Sequence, residues 1–268
     1  MNPPGAWFRI GLAAALAIAL SFLTLPVVAI FVDSSPGDLV DSLGEPGVLD
    51  ALWLSLRATA AAIALILVVG TPAAYLLATR SFPGKAVVVT LVELPLVLPP
   101  AAAGVALLAS LGPEGILGGA LGSLGIELPL TTAAVVVALT FVASPFYLRQ
   151  AIGAFASVDR TLLDASRTLG ASEAHGFRRI VIPAAMPGLS AGAALALGRA
   201  LGEFGATLMF AGSFQGITQT VPLAIYDRFS TNFDSALALS AILVAVSAAI
   251  LLSVKLVQGS EALGGAGT

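Results

Sequence analysis

Cysteine is absent from the chain and histidine occurs once, at His175. Disulfides, thiolate nucleophiles and sulfur-ligated zinc are excluded, and one imidazole cannot supply a multi-histidine metal site. Lysine stands only at Lys85 and Lys255, neither of them in a G-x-x-x-x-G-K-[ST] phosphate loop, so nucleotide binding by that route is excluded. No Ser-His-Asp set, H-E-x-x-H helix or pair of carboxylates in a polar cleft is legible, which leaves an intramembrane hydrolase without support. Charge of either sign is scarce, 10% of 268 residues against roughly 25% in an ordinary soluble domain. A net charge of −3, without a block of like charges, argues against nucleic acid as a partner.

What the chain has instead is apolar sequence, 58% of it hydrophobic, arranged in runs long enough to cross a hydrocarbon core of about 30 Å. Spans are expected at Ile10–Val32, Ala51–Thr79, Ala86–Leu111, Leu128–Leu148, Met186–Gly212 and Ser235–Val254. The first run exceeds the roughly 7–15 residue apolar centre of a secretory signal, so it reads as a span. Pro95, Pro99 and Pro100 remove backbone donors from the third, which should be kinked or broken. Asp33–Asp50 reads as an acidic, turn-rich loop, Gly112–Glu127 as a glycine-rich one, and Val221–Tyr226 as an apolar piece too short to cross. No internal repeat is evident.

Sorting charges by loop tests this map. Arg9, Arg80, Lys85, Arg149, Arg160, Arg167, Arg178, Arg179 and Lys255 fall on one side, nine of the 12 basic residues. Asp33, Asp38, Asp41, Glu45, Asp50, Glu114, Glu127, Asp227 and Asp234 fall on the other, with only Arg228 against them. Six spans keep the two sets apart, and five would mix them. The positive-inside rule then puts both termini in the cytoplasm.

Three features could carry function. Arg199 and Glu203 lie four residues apart inside the fifth span and face one side of it. They either neutralise each other at a helix interface or leave Arg199 on a water-filled anion path. Glu93, near the Pro95 break, is either a proton or sodium site or a carboxylate satisfied by a neighbouring donor. The longest polar interval, LDASRTLGASEAHGFRRIVIPAAMP from Leu163 to Pro187, reads as two short amphipathic helices. Gly170 can end the first by adopting positive φ, and Ser172 can cap a second carrying Phe177, Ile180 and Val181. By composition alone this knob could rest on anionic headgroups. His175 within it reads as a surface residue.

The spacing within that interval resembles the signature of ABC importer permeases: Glu-Ala-Ala, three residues, Gly, nine residues, then Ile-x-Leu-Pro. Asp164, Ala165, Ser166, Gly170, Ile180, Ile182 and Pro183 stand at those positions, with Asp for Glu, Ser for the second Ala and Ile for Leu. RSFPGK (80–85), LPLVLPPAAAG (94–104) and GRALGEFGATLMFAGSFQGITQTVPLAIY (198–226) are similar to the permease subunits of molybdate transporters. The sulfate and thiosulfate permeases share part of this wording.

The resemblance implies an all-α integral membrane protein with about six spans and the type I ABC importer permease fold. Residues 1–9 would be a cytoplasmic N-terminus, 10–258 one transmembrane domain with a coupling loop at 150–186, and 259–268 a cytoplasmic tail. It further implies a second copy of the chain, two ATPase subunits docked on residues 164–183, and a periplasmic or lipid-anchored molybdate-binding protein. The chain would bind no cofactor, ATP and magnesium belonging to the ATPase. Arg199, Glu203, Thr207, Met209, Phe210, Ser213 and Gln215 are path candidates from their place on and after the fifth span. A sulfate permease, an ion-coupled secondary carrier using Glu93 and the Arg199–Glu203 pair, and a structural membrane protein are the alternatives.

Overall fold

A computed structural model describes residues 6–168 and 170–264, with side chains except at 6, 36, 160, 165, 167 and 254–264. The described residues form helices α1 (Ala6–Asp33), α2 (Pro36–Gly44), α3 (Val48–Thr79), α4 (Lys85–Val97), α5 (Pro100–Leu111), α6 (Gly118–Ser123), α7 (Thr132–Ala156), α8 (Arg160–Thr168), α9 (Glu173–Gly176), α10 (Ile182–Leu201), α11 (Gly205–Ala211), α12 (Val221–Phe229) and α13 (Phe233–Gly264). A π-helical turn, Phe177–Val181, joins α9 to α10. Five helical runs are long and apolar enough to cross a membrane, and α4 with α5, bent by 119° at their junction, makes a sixth.

The break between α4 and α5 is the one the prolines demand. Leu98 leaves the helix with ψ 129, Pro99 precedes the new one, and Pro100 occupies its first turn, where a missing N–H costs nothing. Other boundaries differ from the expected spans. The fourth begins at Thr132, capped by the Thr131 hydroxyl, and runs to Ala156 rather than Leu148, so Arg149 lies inside a helix and not in a loop. The fifth begins at Glu173 rather than Met186 and stops at Leu201. Pro183 does not start it afresh: the π turn ahead of this proline closes with Ile182 N–H on the Phe177 carbonyl, a wider ladder that accommodates the residue without a donor. Residues 202–204 then interrupt the helix before α11, so Met186–Gly212 is not one continuous span. The acidic segment is not wholly loop either. Ser35 and Asp38 form a reciprocal capping box that starts α2.

The core is built on α3, α7 and α10, which pack through small residues. Gly188 lies so close to α7 that a β-carbon there would meet Ala154 Cβ at 2.5 Å. Tyr147, fully buried at the centre, shares a 2.6 Å hydrogen bond with Thr71 of α3. Helix α1 buries nothing within its apolar window and touches the bundle at α13. Its exposed Leu, Ile and Phe side chains suit lipid, which is as apolar as they are.

At the acidic face the chain is clasped. Arg228 Nε donates to Glu45 Oε2 at 2.9 Å and Arg228 Nη2 to the Pro46 carbonyl at 3.1 Å, while Ser235 Oγ donates to the same Glu45 oxygen at 2.9 Å. These bonds tie the α2–α3 turn to α12 and α13. The Arg228 hydrogen bond holds the Glu45 carboxyl below the usual carboxylate range. A depressed folded value means that the stabilisation is present above the unfolded pKa of about 4.3 and is lost as pH falls through the folded one. Thermal unfolding in detergent should therefore show Arg228→Gln less stable than the wild type at neutral pH, with the gap closing as pH falls below about 4.

Candidate functional site

The signature positions fold into one corner. Asp159 starts α8 by accepting the Thr161 N–H at 2.9 Å, a bond that lowers its carboxyl pKa. Gly170 ends it with φ +83, and Ala171 N–H reaches the Ser166 carbonyl at 3.0 Å, closing a Schellman-type turn that an L-residue would resist. Ser172 accepts the His175 N–H and caps α9, as its position in the sequence suggested. Ser166 is buried where Gly176 of the second limb approaches its hydroxyl, and Asp164 faces outward on α8. Ile180 lies half-buried in the π turn, Ile182 begins α10 half-buried, and Pro183 is exposed beside it. The Ala165, Arg160 and Arg167 side chains, and Leu169, lie outside the described residues.

The corner is bolted to the spans by aromatic rings. Phe177 of the π turn meets Tyr75 of α3 at 4.6 Å and Phe155 of α7 at 6.2 Å, and Tyr75 and Phe155 stand edge to face at 5.4 Å. A cavity of about 100 Å³ opens beside them, lined in part by Thr79, Asp159, Leu163 and Val181. Here α9, the π turn and α10 run on without a break from Glu173 to Leu201.

The second region lies where two broken spans meet. A β-carbon at Gly104 of α5 would meet the Ala206 carbonyl at 2.6 Å, and one at Gly205 would meet Pro100 Cβ at 2.7 Å, so the two breaks touch. Glu203 sits in the α10–α11 break with its side chain wholly buried. Its Oε1 accepts the Ala206 N–H at 2.7 Å, and its Oε2 faces Arg199 Nη2 at 2.5 Å as an ion pair without hydrogen-bond alignment. The pair anticipated from the i,i+4 spacing therefore forms, and Glu203 also caps α11. Arg199 retains 25% side-chain exposure. Thr207 and Phe210 are buried inside the bundle, with the Thr207 hydroxyl unpartnered. They do not present themselves to an open path, because α11 turns that face toward α5 and α7. Met209 and Gln215 are exposed and Ser213 is half-buried; Gln215 lies against Gly47 at the acidic face.

Glu93 has a partner that the sequence did not disclose: Arg149 of α7, whose Nε lies 3.8 Å from Glu93 Oε1. Only the extension of α7 beyond Leu148 brings the two to one level. Among the described residues no group of three or more His, Cys, Asp or Glu side chains gathers to hold a metal.

The corner is continuous with one of five apolar runs long enough to cross a membrane, six if the bent α4–α5 pair counts as one. Residues 68–260 match the family described as the binding-protein-dependent transport system inner membrane component. The chain belongs to that family. The permease is 40% identical over 235 residues to the molybdenum transport system permease protein ModB of Mycobacterium tuberculosis, covering 87% of this chain and 88% of that one. It is 38% identical over 254 residues to a probable molybdenum ABC transporter permease protein of Haloferax volcanii, covering 94% and 90%. The sulfate transport system permease protein CysW of Escherichia coli is 32% identical over 224 residues, covering 82% and 76%. In fold the permease is similar to a bacterial ABC transporter involved in alginate import, with a TM-score of 0.75 at 16% identity, covering 95% of this chain and 96% of that one.

The dual role of Glu203 predicts a graded result. Glu203→Gln keeps an oxygen for the Ala206 N–H, whereas Glu203→Ala loses the cap as well as the pair. Thermal unfolding of the purified chain should find the alanine variant less stable than the glutamine variant by about 1 kcal/mol, the usual worth of such a cap.

Proposed function

We propose that this chain is the membrane-spanning subunit of an ATP-driven importer of molybdate. The observation that carries the reading is 40% identity over most of the chain to a molybdenum transport permease, joined to a signature corner built on Gly170. Two copies enclose the path, two ATPase subunits dock on residues 164–183, and a molybdate-binding protein delivers substrate to the acidic face. The basic face and both termini are cytoplasmic. The chain performs no bond chemistry and binds no cofactor; ATP and magnesium belong to the ATPase.

Work enters at the α8–α9 corner when the ATPase pair closes on ATP. The Phe177–Tyr75–Phe155 cluster carries that movement to α3 and α7, and the continuous helix from Glu173 carries it to the fifth span. Binding-protein and ATPase contacts stabilise different conformations of the bundle, which is all that is needed to alternate access. Arg199 presents a positive charge at the meeting point of the two breaks, where an oxyanion passes. Sulfate is the second reading, favoured by the 32% identity to a sulfate permease. Charge and tetrahedral shape are common to the candidate anions, so selection rests largely with the binding protein.

The test is reconstitution with the cognate ATPase and binding protein. ATPase activity should rise with molybdate, and stimulation by sulfate alone would overturn the substrate assignment while leaving the importer intact. Gly170→Val should strain a backbone at φ +83 in otherwise open space, leave the spans folded and release the ATPase on purification. Normal co-purification and transport by that variant would remove the docking assignment.

A further inference from the structure

The Glu93–Arg149 pair stands on two apolar helices, toward their basic-side ends, and is arranged to present its cation. Arg149 stands seven residues before the end of α7 at Ala156, about 10 Å along the axis at 1.5 Å per residue. The 25-residue helix is about 37 Å long, so with all its excess over a core of about 30 Å placed on the basic side, the Arg149 backbone stands about 3 Å inside the hydrocarbon boundary, with its guanidinium within reach of the basic-side surface. Glu93 stands eight residues into α4 from Lys85, about 12 Å from that helix end. An ionisable pair on a spanning helix is a candidate for an ion pathway.

Two features distinguish this pair from simple neutralisation. At 3.8 Å the carboxylate is beyond hydrogen-bond distance of Arg149 Nε, and the guanidinium has no other recorded partner among the described residues. Its donors, in a fork that matches two oxygens of one anion, are therefore unspent. The arginine side chain is also 71% exposed and the glutamate 39%, the same asymmetry as Arg199 at 25% and Glu203 at 0%. In both pairs the cation is the more exposed partner. Tyr147 and Ala151 turn into the core and Gln150 meets Gly192 of α10, whereas a β-carbon at Gly153, one turn beyond Arg149, would meet nothing within 4 Å. The Arg149 face of α7 is open.

We propose that Arg149 is a second oxyanion-contact residue, on the basic-side half of the path, which receives the transported anion after Arg199 and before release. The proposal rests on the importer reading. Glu93 keeps the guanidinium at the path without consuming its donors and limits how tightly the anion is held, as a conduction site requires.

The natural absence of cysteine makes the test direct. In vesicles containing the full complex, with partner cysteines blocked, molybdate uptake is measured for wild type, Arg149→Lys, Arg149→Gln, Arg149→Cys and the Glu93→Gln/Arg149→Gln double variant. Arg149→Gln should lower uptake about ten-fold, the worth of one charge-assisted hydrogen bond, with binding-protein docking unchanged and Arg149→Lys retaining most of the rate. A thiosulfonate that adds an ammonium to Arg149→Cys should restore uptake, one that adds a sulfonate should not, and molybdate should slow both modifications. Recovery of wild-type uptake by the double variant would reduce the pair to structural neutralisation. If wild-type uptake falls to the Arg149→Gln level in purely zwitterionic vesicles, the guanidinium holds an anionic lipid headgroup and not the cargo. Wild-type complex that takes up no oxyanion would sink the importer reading itself, whereas equal uptake by wild type and Arg149→Gln would sink this proposal alone.

Discussion

A backbone that breaks inside a membrane must hide its unpaired groups in protein or water, and the two breaks in this chain are placed against each other. Pro99 and Pro100 end one helix and start the next, residues 202–204 interrupt another, and Gly104 and Gly205 let the pieces approach to backbone contact. Irregular backbone at this depth is tolerated only where it is buried or lines a cavity. The crossing of α5 and α11 is therefore a fixed point. It sets which faces of α10 and α11 turn inward, buries Thr207 and Phe210, and leaves Arg199 at its edge.

Around that point the bundle separates stiffness from drive. The α3–α7–α10 core is held by small-residue contacts and the Tyr147–Thr71 bond. Toward the basic face the same helices end in an aromatic cluster attached to the signature corner. Gly170 makes the corner sharp, and the π turn lets the chain pass Pro183 without losing helical continuity. One helical run thus joins the signature corner to the Arg199–Glu203 break.

Two ion pairs stand along the spans, one with a buried carboxylate and one with both partners exposed. Glu203 is committed to a cap and a cation at once, its Oε1 hydrogen-bonded and its Oε2 held by charge alone. Glu93 is committed to neither fully, which leaves Arg149 the more available of the two arginines. The third pair, Glu45 with Arg228, is a clasp at the acidic face, where two hydroxyl- and guanidinium-derived bonds meet on one carboxylate oxygen.

Much of this was legible in the residues. Apolar runs set the number of crossings because hydrocarbon thickness sets helix length, and the proline positions forecast the α4–α5 break. The i,i+4 spacing paired Arg199 with Glu203, and Gly170 and Ser172 announced the corner, since positive φ and helix capping are local properties. Only the tertiary structure decided the rest. The start of the fifth span at Glu173 depends on a π turn anchored by Phe177 to rings about a hundred and about twenty residues away in sequence. The Arg149 partner of Glu93 lies on another helix, and the burial of Thr207 follows from how α11 packs on α5. Periodicity assigns a residue to a face of its own helix; which neighbour that face meets is set by packing between helices.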